Sequence, residues 1–366
     1  MTELLWQLPS RGDGRHATPG TRNRGGFGGP RVPTVATDLR PGNFGPFDDL
    51  AQIVLAAELS GLDGVLAPYD PLGEESWIVG GGALRDTRHA RVVVEFQPAF
   101  GSPVYAAKVS ATLQRLSAGR LAWRIQVETD EADARARGDR VAGADRYARA
   151  AEFLAVARGV WNETPLAGAG FKGTDFHFTG EYFDVVDGGF RGILSGLPFP
   201  TVYLSGSSDE ALDLSASHGD VHLFTETVDG VGDLVAALTE RASAQGRTVR
   251  AGLELPIIAR ESEDEAWARV ERQWREVHPD SPVAHELDLG GGRWAGFTEL
   301  GYDEPIGLVG SYEQVAQQLS AYVDAGIDSF VLTGRPHIEE LHRAGEHLLH
   351  LVDPAGRTIA GQEATA

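Results

Sequence analysis

Short apolar runs alternate with longer amphipathic stretches along this chain, and one kind of junction joins them repeatedly. At Ser60-Gly61-Leu62-Asp63-Gly64-Val65-Leu66 a helical pattern stops at glycine and an apolar run starts at once. The same junction returns at Ala118-Gly119-Arg120-Leu121, at His218-Gly219-Asp220-Val221-His222-Leu223 and at Ala325-Gly326-Ile327-Asp328-Ser329-Phe330-Val331-Leu332. Glycine after a last helical turn takes the left-handed conformation that redirects the chain into a strand. Helix, glycine and strand in repetition predict a parallel sheet with crossover helices. The pattern places strands near 3–8, 62–67, 91–97, 121–127, 200–205, 220–224, 250–259 and 327–333. Helices are predicted around 46–60, 103–117, 145–160, 208–217, 230–245, 262–275 and 311–325. Eight such units fit a (β/α)8 TIM barrel; an open doubly wound sheet has about five or six strands, and no Gly-x-Gly-x-x-Gly follows the first strand.

Three segments exceed an ordinary βα connection and are read as insertions: 9–45 after strand 1, 161–199 between strands 4 and 5, and 276–308 between strands 7 and 8. Long loops in a compact domain are usually functional. The second contains strand-like pieces at 176–178 and 182–186, and the third leads into Gly290-Gly291-Gly292-Arg293-Trp294. With no linker to divide it, the chain is expected to form a single domain over 1–352 with a tail at 353–366.

Inward side chains recur at every second position of a barrel strand, and the C-terminal strand ends form the functional face. On strand 4, Trp123, Ile125 and Val127 suit the helix-facing side, which leaves Arg124, Gln126 and Glu128 inside. Strand 3 points Glu95 and Gln97 inward, and strand 7 offers Glu254 opposite Leu253, Leu255 and Ile257. Charges inside a barrel must be paired or used. An internal network joining Arg124 to Glu95 or Glu128 is one expectation, and it is compatible with function.

At Val202-Tyr203-Leu204-Ser205-Gly206-Ser207-Ser208 an apolar run passes through small residues directly into a helical pattern. Glycine permits a tight turn, a serine can cap the helix, and the first-turn N–H groups can hold an anion. A phosphorylated cofactor is the functional reading of this loop; an ordinary N-cap is the plain one.

Composition narrows the partners. The net charge is −21, from 32 basic and 53 acidic residues, which argues against nucleic acid and anionic membranes. No apolar run approaches the roughly 20 residues of a membrane span, and no leader pattern opens the chain, so the cytoplasm is expected. The chain has no cysteine, hence no disulfide, cysteine-ligated zinc or thiol nucleophile. His16, His218 and His222 lack metal-ligand spacing, and no metal site is expected. Trp77 and Trp294 are read as core aromatics before pocket walls.

Several segments in order resemble the bacterial luciferase-like flavin monooxygenases, with the alkanesulfonate branch the nearest. They are Trp6 to Gly14, Glu75-Ser76-Trp77, Ser102-Pro103, Ala111 to Arg120, Asp145-Arg146-Tyr147, Gly206-Ser207-Ser208, Gly246 to Arg250, Trp294-Ala295-Gly296, Leu308-Val309-Gly310 and Gly334-Arg335-Pro336-His337. The resemblance implies a TIM barrel that takes FMNH2 from a separate NAD(P)H:flavin reductase. With O2 such an enzyme forms a flavin peroxide or N-oxide to oxygenate a small-molecule substrate. It further implies that Gly206, Ser207, Ser208 and Tyr147 hold the FMN phosphate, that Arg124 and Gln97 stand near the flavin, and that the protein is a homodimer; His337 matches a family position, and its plain reading is a cap on the last helix.

Departures from the sulfonate branch shape the expected substrate. Arg11 stands for its histidine and Gly73 for its cysteine. Glu254 and Pro256 replace an arginine and a histidine, and Arg335 replaces a tyrosine. The loop from Leu300 to Pro305 has no arginine. Near the flavin ring, Arg124 and Val127-Glu128 stand for an asparagine and a threonine-glycine pair. A carboxylate at Glu254 repels a sulfonate, so a non-sulfonate, neutral or cationic substrate is expected. Arg11, Glu254 and Arg335, backed by Glu95 and Glu128, are the candidate catalytic residues. Two other readings stay open: a cofactor-free hydrolase using Glu95, Glu128 and Glu254 as acid and base, and a non-catalytic flavin-binding relative.

Overall fold

A computed structural model describes residues 2–10, 46–161, 176–190, 197–283 and 285–352. Eight parallel strands close into a barrel: β1 (Glu3–Gln7), β2 (Gly64–Ala67), β3 (Arg91–Phe96), β4 (Leu121–Ile125), β7 (Thr201–Ser205), β8 (Val221–Thr225), β9 (Arg250–Arg260) and β13 (Ile327–Thr333). Each pairs with the next around the ring, and β13 closes it between β9 and β1. The ring is the (β/α)8 TIM barrel that the repeated junctions predict. β5 (Phe178–Thr179) and β6 (Asp184–Val185) form a small hairpin in the second long segment.

Local chemistry sets the helices. Helix α1 spans Pro46–Leu59 and α2 spans Ser76–Asp86. Glu75 caps α2 by accepting from the Ile78 amide. The run Gly80-Gly81-Gly82 hides this helix from periodicity, because glycine is a poor helix former. Helix α3 (Pro103–Ser117) starts with proline in its first turn and Ser102 as cap. The remaining helices are α4 (Glu131–Ala136), α5 (Asp145–Trp161), α6 (Asp209–His218), α7 (Gly232–Ala244), α8 (Glu263–Val277), α9 (Tyr312–Asp324), α10 (His337–Arg343) and α11 (Leu349–Val352).

Alternation along each strand divides the protein into two apolar layers. Val92, Val94, Phe96, Trp123, Ile125, Val202, Leu204, Leu253 and Leu255 face outward and pack under the helices. Trp77 joins this layer, its ring 4.9 Å from Phe96, so it packs as a core aromatic. A smaller cluster, including Leu5, Leu66, Val93, Ala122, Tyr203, Leu223 and Val331, fills the barrel itself.

The third long segment is more structured than a loop. β9 is 11 residues long, and its outer half leaves the barrel to pair with β12 (Gly307–Ser311). β11 (Arg293–Trp294) and β10 (Asp288–Gly290) extend this layer antiparallel. Trp294, fully buried, forms a second core there with Trp274, Phe297 and Tyr302. Pieces of two or three residues are too short to show a period, which is why sequence alone leaves them as loop.

An ion cluster seals the N-terminal end of the barrel. Glu3 meets Arg91 at 2.6 Å and Arg250 at 3.1 Å, and accepts hydrogen bonds from Tyr203 (2.8 Å) and Ser329 (2.9 Å). Arg91 and Arg250 are 38% and 35% exposed, so removing Glu3 chiefly leaves the buried Tyr203 and Ser329 hydroxyls without their acceptor. Glu3→Ala should therefore cost about 2 kcal/mol of unfolding free energy in a urea titration; a change below about 0.5 kcal/mol, the scale of an ordinary surface substitution, would contradict this role.

Candidate active site

Two groups of polar side chains stand at the C-terminal strand ends. The first lies inside the barrel. Arg124 on β4 reaches across the lumen to Glu254 on β9, with Nη1–Oε1 at 2.5 Å and Nη2–Oε2 at 2.8 Å. Its Nε lies 3.0 Å from Glu95 Oε1 on the neighbouring β3. The other Glu95 oxygen accepts from the Tyr69 amide at 2.8 Å. Burial works against the Arg124 charge, and Glu254 and Glu95 outweigh it, so its pKa is raised. Burial also raises the Glu95 pKa, with Arg124 and the Tyr69 amide opposing.

Glu304, in the turn before β12, is buried at the same level. Burial first, then the like charges of Glu254 and Asp303, push its carboxyl up to about 8. An ordinary carboxyl is ionised at neutral pH, whereas this one keeps its proton. Periodicity carries no sign of this, because Tyr302-Asp303-Glu304-Pro305 reads as a polar surface turn.

The second group gathers around the start of α6. Gly206 has φ of +124° and brings the backbone so close to α6 that a Cβ there would lie 2.7 Å from the Ala211 Cβ. Ser208 caps α6 by accepting from the Ala211 amide at 3.2 Å. Tyr147, from the first turn of α5, reaches the same point: its hydroxyl donates to Glu128 Oε1 and lies 3.2 Å from Ser208 Oγ. Arg146 fixes this end of α5 by donating to the carbonyls of Thr129 (2.5 Å) and Val141 (2.9 Å). Burial, then the bond to Glu128, pushes the Tyr147 pKa up to about 12, so the phenol stays protonated.

His222 on β8 supports the turn from behind. Nε2 lies 2.8 Å from the Gly206 carbonyl and Nδ1 2.6 Å from Ser215 Oγ. Burial lowers its pKa to about 4, so the ring is neutral. A carbonyl only accepts, which places the proton on Nε2 and makes Nδ1 the acceptor of the Ser215 hydroxyl. His222 is thus hydrogen-bonded locally and fully buried. Its role as a brace for Gly206 is legible only when β8 and the turn are side by side.

The candidate residues therefore divide by place. Arg124, Glu95 and Glu254 form one network, in which Arg124 pairs with Glu254 and leaves Glu128 to Tyr147. Gly206, Ser208, Tyr147 and Glu128 form the other, with Ser207 exposed on the turn. Gln97 is buried between them and donates to Gln126 Oε1 at 3.0 Å. Arg335 stands apart, its guanidinium 4.5 Å above the Tyr302 ring and its carbonyl held by Arg269 and Gln273 at 2.9 Å. Arg11 and His16 lie outside the described residues. His337 does not cap α10: Pro336 occupies the cap position, and the buried imidazole accepts from the Trp6 indole at 3.1 Å. Burial, then the Arg335 charge, lowers the His337 pKa to about 3. Among the described residues no group of three His, Cys, Asp or Glu is placed to hold a metal ion, and no helix is long and apolar enough to cross a membrane.

Known structures share this architecture. A riboflavin lyase with modified FMN and riboflavin is 18% identical over 100% of this chain and 94% of its own, with a TM-score of 0.73. The EDTA monooxygenase of Chelativorans sp. BNC1 is 18% identical over 97% of this chain and 94% of its own, with a TM-score of 0.69. DmoA of Hyphomicrobium sulfonivorans is 16% identical over 99% of this chain and 90% of its own, with a TM-score of 0.74. At these identities the likeness is one of fold. The sequence profile of luciferase-like monooxygenases matches residues 13–329, most of the chain from after β1 into β13. With the barrel and its strand-end site in place, that match identifies the chain as an oxidoreductase of the luciferase-like monooxygenase family.

Proposed function

We propose that the protein is a two-component monooxygenase that takes reduced FMN from a separate NAD(P)H:flavin reductase and, with O2, oxygenates a small organic molecule other than a sulfonate. The observation that carries this reading is the Gly206-Ser207-Ser208 turn at the start of α6, with the Tyr147 hydroxyl 3.2 Å from Ser208 Oγ. The family membership supports the flavin, as does the modified FMN of the riboflavin lyase neighbour. The reductase, a homodimer and a cytoplasmic location rest on the family resemblance and the chain's composition.

The donor set fits the phosphate end of FMN. The first amides of α6 have no acceptor within the helix, Gly206 lets the backbone approach, and Tyr147 is a protonated donor at the same point. When bound, the flavin supplies the redox chemistry with oxygen. The chain's own part is to bind, orient and exclude water. Arg124, Glu95 and Glu254 form a rigid charged floor below the strand ends. Because Arg124 is engaged by two carboxylates, its guanidinium is not free to hold a substrate sulfonate, which supports the non-sulfonate reading. The same pairing weakens the hydrolase reading, since an acid and a base must face a substrate and Glu95 and Glu254 face Arg124.

Glu304 is the proton store of this floor, and Arg335 is the other charged candidate at the strand ends. Anaerobic titration with FMNH2 and with FMN, followed by quenching of the protein's tryptophan fluorescence, tests the seat. Tyr147→Phe and Ser208→Ala should each weaken binding of FMNH2 about tenfold, the value of one hydrogen bond to a charged group. Unchanged affinity in both variants would sink the proposed phosphate position.

Glu304 also predicts a pH dependence of stability. Its folded pKa of about 8 stands above the ordinary 4.5, so between those values the folded chain holds a proton that the unfolded chain has lost. This contribution is complete below about pH 4.5 and is lost as the pH rises through about 8. The Tm should fall by several degrees between about pH 5 and about pH 8.5, and Glu304→Gln should flatten that slope. Parallel slopes in the two proteins would rule Glu304 out as its source.

A further inference from the structure

The carboxylate of Glu128 occupies the place where the phosphate reading needs an anion. It lies three residues past the end of β4 at Ile125 and accepts a hydrogen bond from the Tyr147 hydroxyl. The same hydroxyl is the one that stands 3.2 Å from Ser208 Oγ. Glu128 Oε1 is also 3.4 Å from where a Cβ on Gly206 would project, so it stands over the turn itself. The other acids of the neighbourhood are differently placed. Asp209 is paired with Arg241, and Glu210 is exposed on the first turn of α6. Arg124, the nearest cation on the same strand, is engaged by Glu95 and Glu254 and makes no ion pair with Glu128.

We propose that Glu128 is an internal competitor for the phosphate seat: its carboxylate holds the Tyr147 hydroxyl at the Gly206–Ser208 turn, and a phosphorylated flavin must displace it to bind. The inference rests on the placement of the phosphate proposed above and deepens it. The physical reason is simple. A phosphate and a carboxylate cannot share one hydroxyl proton, and two anions at contact distance repel each other even where, as at the exposed Glu128, water screens part of the charge. Tyr147 donates one proton, so each occupant excludes the other. Glu128 thereby weakens the hold on the phosphate end of the cofactor without touching the ring. Such a device favours exchange of the flavin over permanent retention, which is what a protein supplied by a separate reductase requires. It also discriminates by charge: a flavin without phosphate does not compete for the seat.

The test is a comparison of FMN and riboflavin binding to the full-length protein, followed by quenching of flavin fluorescence. The variants are Glu128→Gln and Glu128→Ala, with thermal unfolding of each to establish that the fold is intact. Glutamine keeps the size and an acceptor for Tyr147 but removes the charge; alanine removes the competitor altogether. Both variants should bind FMN at least about tenfold more tightly than the unmodified protein, while riboflavin affinity changes less than about twofold. FMN affinity that is unchanged or weaker in both folded variants would overturn the proposal while leaving the phosphate seat in place. Equal tightening of FMN and riboflavin would also overturn it, because the effect would then lie at the ring. Failure of the unmodified protein and both variants to bind either flavin would instead overturn the phosphate placement, and the competition with it.

Discussion

One guanidinium organises the functional half of this barrel. Arg124 crosses the lumen from β4 to grip Glu254 on β9 with two hydrogen bonds and holds Glu95 on β3 with its remaining edge. A buried cation without partners is very costly, and so is a buried carboxylate. The three charges therefore specify one another's position, and with them the spacing of three strands. Apolar residues fill the barrel below this layer, and the Glu3 cluster closes its other end. The barrel is thus a stack of charged, apolar and charged layers, with the face that carries function built on the upper one.

That arrangement separates two tasks. The interior network is closed on itself: its carboxylates point at Arg124, and burial beside Glu254 and Asp303 raises the pKa of the neighbouring Glu304. The open chemistry lies one step higher, where β4 and β7 have ended and α6 begins. There the turn at Gly206 is braced from below by neutral His222 and approached from the side by Tyr147 and Glu128. A rigid base under a turn with exposed donors is the arrangement that preorganised binding demands, since little is lost in ordering it when a ligand arrives.

Much of the fold was legible because barrel strands obey period two and their junctions repeat. Val92, Val94, Trp123 and Ile125 face the helices, and Glu95 and Arg124 face inward, as the alternation implies. Helix α2 was hidden by three glycines, and β10 and β11 by their shortness. In the site, strand phase brought Glu95, Arg124 and Glu254 to the interior, and the small residues before α6 marked a tight turn capped by Ser208. Tyr147 stood out through the family resemblance rather than through any period. Spacing gives His222 no metal-ligand role, and the Gly206 carbonyl it meets is not visible from its neighbours in sequence.

The division between the two levels has a physical basis. Sequence by itself determined the strand phase that turns Glu95, Arg124 and Glu254 into the lumen, most of the helices around the barrel, and the small-residue turn before α6, because backbone geometry and nearby residues govern all three. Tertiary structure decided the partners. Arg124 meets Glu254 rather than Glu128 because the lumen is narrow enough for one side chain to span. Glu304 is buried in the turn leading into β12, the strand that pairs with the outer half of β9. Glu128 faces the phosphate turn and not the floor because it lies one turn of the pleat beyond Gln126, where β4 has ended and α5 delivers Tyr147. Each of these depends on the distance between residues far apart in the chain, which no local pattern encodes.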